Sequence, residues 1–100
     1  MTHPVQWYEL EVERVLRLLE EEVDGLLRCP AEHKEAATHE ALSRLRPHVE
    51  AALEALEAIG RLRRLSGTEL ARQQAFMTLL GVGGQAEHKL PLLRVIHRSA

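Results

Sequence analysis

A single cysteine, Cys29, stands among 100 residues, so no internal disulfide can staple the chain. That usage predicts a reducing, cytoplasmic setting. Aromatic residues make up only 3%: Trp7, Tyr8 and Phe76. Their scarcity argues against base stacking on single-stranded nucleic acid. No apolar run approaches the ~20 residues that span a bilayer. Met1-Thr2-His3-Pro4 carries no basic stretch ahead of an apolar core, which predicts no secretory signal. There is no internal repeat and no low-complexity tract. Gly81-Val82-Gly83-Gly84 lacks the Lys-Ser/Thr that a phosphate-binding loop requires.

What is present is helical in kind. The apolar share is 45%, supplied mostly by Leu, Ala and Val, with many Glu and Arg between them. Such a mixture belongs to long helices and bundles. The predicted fold class is all-α: an antiparallel helical hairpin or bundle of two long helices plus one or two shorter C-terminal helices. The whole chain, 1–100, reads as one domain. The long hairpin spans 4–65 and the shorter helical section 66–98.

The first helix is expected from Pro4 to Arg28, capped by Thr2 or His3. Val5, Tyr8, Val12, Val15, Leu16, Leu19, Val23, Leu26 and Leu27 fall in one arc of roughly 120°. Gly25 weakens the last turn. Cys29-Pro30 makes the corner, and the second helix starts with Pro30 in its first position. Ala37, Ala41, Leu42, Leu45, Val49, Ala52, Leu53, Leu56 and Ile59 form its inner stripe. Pro47 lies inside this run but on the polar face, and the apolar phase continues through it. One helix kinked at Pro47, convex toward solvent, is therefore expected rather than two helices and a loop. Ser66 and Glu69 have capping-box spacing and start a third helix. Gly81 reads as its C-terminal cap, followed by the apolar Val82. A short helix starting near Pro91 closes the section.

Length predicts self-association. A helix from Pro30 to Leu65 would be about 54 Å long and the first about 38 Å. A compact domain of this size is only about 35 Å across. One short third helix cannot cover such a hairpin, so a homodimer or tetramer is predicted. An unbroken second helix is the premise; a break at Pro47 would favour a compact monomer. Trp7, Leu10 and Leu18 point away from the main stripe and are the candidate contact residues. The apolar tail Leu90, Leu92, Leu93, Val95 and Ile96 joins them.

Charge is unevenly spread. Up to Gly60 there are 13 acidic and 6 basic residues, a balance of −7; from Arg61 on there are 7 basic and 2 acidic, a balance of +5. The polarity suggests either a basic section for an anionic partner or two parts that attract each other. Arg61, Arg63, Arg64, Arg72, Arg94 and Arg98 are the candidate nucleic-acid contacts. Yet the segment from Thr68 to Leu93 fits no helix-turn-helix register, because Gly81 and Gly84 fall where buried apolars belong.

No catalytic, cofactor or metal site is predicted. Cys29 and His33 could face one ion, but zinc needs three or four converging ligands. Glu35 and His39 are a similar lone pair. Glu54 with Glu57 and Glu21 with Asp24 match only two positions of a magnesium-binding carboxylate set, and solvated faces explain them. The sequence thus points to a non-enzymatic helical protein acting through protein–protein contacts, as an adaptor, assembly subunit or regulatory partner. The alternative is a small nucleic-acid-binding regulator using its basic C-terminal half.

Overall fold

In a computed structural model, residues 3–81 are described, and among them the fold is all-α with no strand. Helix α1 spans Val5–Arg28, α2 spans Ala31–Leu62 and α3 spans Gly67–Gly81. The expected boundaries shift by small steps. Pro4, not Thr2 or His3, occupies the cap position of α1, and its carbonyl accepts the Trp7 N–H at 3.0 Å. Pro30 likewise sits just before α2, where its carbonyl accepts the His33 N–H at 3.0 Å. Helix α2 ends at Leu62, three residues before Leu65. Arg63 there is extended, and its N–H returns to the Ile59 carbonyl at 2.8 Å.

Helix α2 passes through Pro47 without interruption. Proline removes one backbone N–H and crowds the preceding turn. Pro47 is exposed, so the carbonyl that loses its partner can turn to water. At α3 the capping box forms as its spacing predicts. Ser66 N–H donates to Glu69 Oε1 at 2.8 Å, and Glu69 N–H donates to Ser66 Oγ at 3.1 Å. Gly81 is the last helical residue rather than a cap beyond it.

Both α1 and α3 pack against α2. Glu22 pairs with Arg44 near the middle of α2, and Glu9 pairs with Arg63 just past its end. The core takes Val12, Val15, Leu16, Leu19, Val23 and Leu26 from α1. Helix α2 supplies Ala41, Leu45, Val49, Ala52, Ala55, Leu56 and Ile59, and α3 supplies Ala75, Phe76 and Leu79. Thr38 is buried among them, and its hydroxyl donates to the Lys34 carbonyl at 2.7 Å, so no polar group is stranded there. Leu27 is the clear exception to the predicted stripe. It is 44% exposed, because it stands at the margin of the arc in the last turn of α1. Ala55 and Ala58 are buried although outside the predicted stripe of α2.

Helix α3 is short. Its 15 residues cover about 22 Å, against about 48 Å for the 32 residues of α2. Arg46 Nη2 donates to the Leu80 carbonyl at 3.0 Å, which marks how far along α2 the third helix reaches.

Candidate contact surface

A groove of about 280 Å³ opens between α1 and α2 near the start of α1. Trp7, Tyr8 and Glu11 line it from α1. Ala51, Glu54, Ala55, Ala58 and Arg61 line it from α2. The alanines recur at steps of 4 and 3, which keeps them on one face of the helix. That face lies about 140° around α2 from Arg46. Since Arg46 holds the end of α3, the groove opens on the side of α2 away from α3. Small side chains leave the space, and Ala55 and Ala58 form its floor.

Trp7 stands at the lip, 45% exposed. His3 stacks on its ring with centroids 3.9 Å apart and planes 12° from parallel. Tyr8 meets Trp7 edge-on at 5.2 Å, and its hydroxyl accepts the His3 backbone N–H at 3.3 Å. The three rings form one cluster that holds the chain before α1 against the helix. Glu11 is occupied by Arg14, whose Nη2 lies 2.6 Å from Oε1. That hydrogen bond outweighs partial burial and holds the Glu11 carboxyl below its ordinary range.

Leu10 is 61% exposed, as expected of a contact residue. Leu18 is different: it is half-buried and packs against the core. Leu62, Leu70 and Met77 are further exposed apolar residues, at 45%, 53% and 53%. The expected contacts Leu90, Leu92, Leu93, Val95 and Ile96 lie outside the described residues, as do Arg94 and Arg98.

The basic cluster is partly spent inside the molecule. Arg63 donates through Nη1 to Glu69 Oε1 at 2.8 Å and through Nη2 to Glu69 Oε2 at 2.7 Å, a two-pronged pair. Its Nη2 also reaches Glu9 Oε2 at 3.0 Å. Arg63 therefore fastens the start of α1, the end of α2 and the start of α3 together. The Arg63 hydrogen bonds hold the Glu69 carboxyl down at about 2, against opposition from burial and with help from the Ser66 N–H. The same bonds raise the Arg63 guanidinium further above its ordinary range. Arg61 and Arg64 are exposed, and Arg72 is half-buried.

Sequence reasoning singled out Trp7 as exposed but did not see the groove it lines. The signal was the heptad-like spacing of Ala51, Ala55 and Ala58, which hydrophobicity alone ranks low. It also counted Arg63 as an outward base, because Glu9 is far away in sequence.

Among the described residues, no three His, Cys, Asp or Glu side chains converge as a metal-binding set. Cys29 is half-buried at the corner, and His33 is exposed beside Glu32. Glu21, Asp24, Glu54 and Glu57 are all exposed. No described helix is long and apolar enough to cross a membrane. No protein-family model, no curated protein and no solved structure matches this chain.

Proposed function

We propose that the chain is a cytoplasmic, non-enzymatic helical subunit that works through protein–protein contacts and assembles with itself as a homodimer or tetramer. Its role is that of an adaptor, assembly subunit or regulatory partner. In this reading α1 and α2 form an antiparallel, coiled-coil-like hairpin bent at Pro47, convex toward solvent, and α3 completes a bundle over part of its length.

The observation that carries the proposal is Trp7, the only tryptophan, half-exposed at the lip of an apolar-floored groove. Tryptophan buries a large area when covered and is enriched where interfaces concentrate their energy. Scattered exposed apolars are ordinary on any surface. Here Trp7 adjoins a concave surface that a neighbouring chain can fill. The unbroken α2, more than twice the length of α3, supports the same reading.

Nucleic-acid contact through Arg61, Arg63, Arg64 and Arg72 has less support. Arg63 already has two carboxylate partners. Glu54 and Glu57 stand one to two turns from Arg61 on the same helix and repel phosphate. Mixed duplex or RNA shifting the protein at low salt, with loss at moderate salt, would favour this alternative instead.

The test is the solution mass together with the fluorescence of Trp7. Assembly predicts a mass of at least twice 11.3 kDa at micromolar concentration, and emission that shifts blue on concentration as the indole leaves water. Trp7→Ala is expected to weaken assembly while the helical circular dichroism persists. A wild-type monomer with concentration-independent emission overturns the proposal.

A further inference from the structure

The groove has a pattern along its α2 edge that matches its own reverse. Glu54 and Arg61 stand seven residues apart on the same lip. Both are exposed, and neither takes part in an ion pair among the described residues. Leu62 lies three turns from Ala51 and about 20° from it around the helix. It is 45% exposed. Read from the opposite direction, this edge presents a base where it had an acid, and a large apolar side chain where it had a small one.

From this we infer that the occupant of the groove is a second copy of the chain, docked with the two α2 helices antiparallel across a twofold axis between Leu56 and Glu57. The inference rests on the self-association proposed above and specifies its register. That axis puts Ala51 level with Leu62 of the partner subunit, and Ala55 level with Ala58 of the partner subunit. The large leucine then enters the space left over the small alanine, twice by symmetry. Glu54 comes within two residues, about 3 Å along the axis, of Arg61 of the partner subunit. Long side chains span that offset easily, and the pair also occurs twice. Trp7, on the facing lip near Arg61, borders the middle of the incoming helix.

Charge complementarity selects this occupant. A helix with uniform charge along its edge would meet repulsion at either Glu54 or Arg61. A parallel second copy in register would set Glu54 against Glu54 of the partner subunit. The antiparallel arrangement pairs both positions using residues this chain has.

The test uses the full chain and sedimentation equilibrium, with circular dichroism confirming that each variant stays helical. Glu54→Arg gives a copy with two bases on the edge, and Arg61→Glu gives one with two acids. Each alone is expected to dimerise roughly tenfold or more weakly than wild type, because both symmetric pairs become repulsive. An equimolar mixture of the two is expected to recover dimers, since every base then faces an acid. The double variant Glu54→Arg with Arg61→Glu is also expected to dimerise. If the single variants dimerise as well as wild type, the register is wrong while self-association through another surface stands; if their mixture stays monomeric although wild type dimerises, the proposed pairing is wrong. A monomeric wild-type chain would overturn both.

Discussion

Arg63 is the side chain on which three helix ends meet. Its fork on Glu69 is the stronger arm, since that carboxylate is only 13% exposed against 43% for Glu9. Arg63→Ala leaves the sheltered Glu69 without its partner, and a lower midpoint is expected in denaturant unfolding. Arg63→Lys supplies charge without the planar fork and should recover only part of the drop. The same pair predicts an acid limb of stability. Glu69 has a folded-state value of about 2, below its ordinary 4.5. Its contribution is therefore complete above the ordinary value and is lost as pH falls from about 4.5 toward 2. Unfolding midpoints measured across that window should drop for wild type and drop less steeply for Glu69→Gln. Equal slopes would contradict the assignment.

At the scale of the elements, α2 carries a proline in its interior and α1 a glycine near its end. Pro47 is exposed, so replacing it need not disturb packing. Pro47→Ala restores a backbone hydrogen bond and a better helix former, with an expected gain of up to about 3 kcal/mol in thermal or chemical unfolding. An interior proline in an exposed position is a standing cost, and a neutral outcome would mean that the surrounding turn has fully adapted to it. Gly25 has no neighbour within 4 Å of an added Cβ and no positive φ. Gly25→Ala should therefore stabilise by about 0.5–1 kcal/mol.

The elements were largely legible in the sequence because periodicity and caps are local signals. The stripes of α1 and α2, the corner at Cys29-Pro30 and the Ser66–Glu69 box all act within a few residues of themselves. The all-α class followed from them, and so did an α2 continuous through Pro47, whose position on the polar face let the apolar phase pass. The surface was much less legible. The groove depends on Ala51, Ala55 and Ala58 lying opposite Trp7 and Tyr8, and alanine carries almost no hydrophobic signal of its own. The Arg63 clasp depends on Glu9, 54 positions away. Leu18 appeared free on the helical wheel, but packing against the core claims part of it.

For the whole molecule, the uneven charge has one visible use. Arg63 from the basic part holds Glu9 from the acidic part, so the two parts attract each other within a single chain. The proposed dimer extends that logic between chains through Glu54 and Arg61. Length points the same way: α2 is about 48 Å long, more than twice the length of α3. Self-association is thus the central claim, and the mass in solution tests it most directly. Sedimentation equilibrium of the purified chain at micromolar concentration should give a dimer or tetramer of the 11.3 kDa subunit. A single species at 11.3 kDa across that range would contradict it.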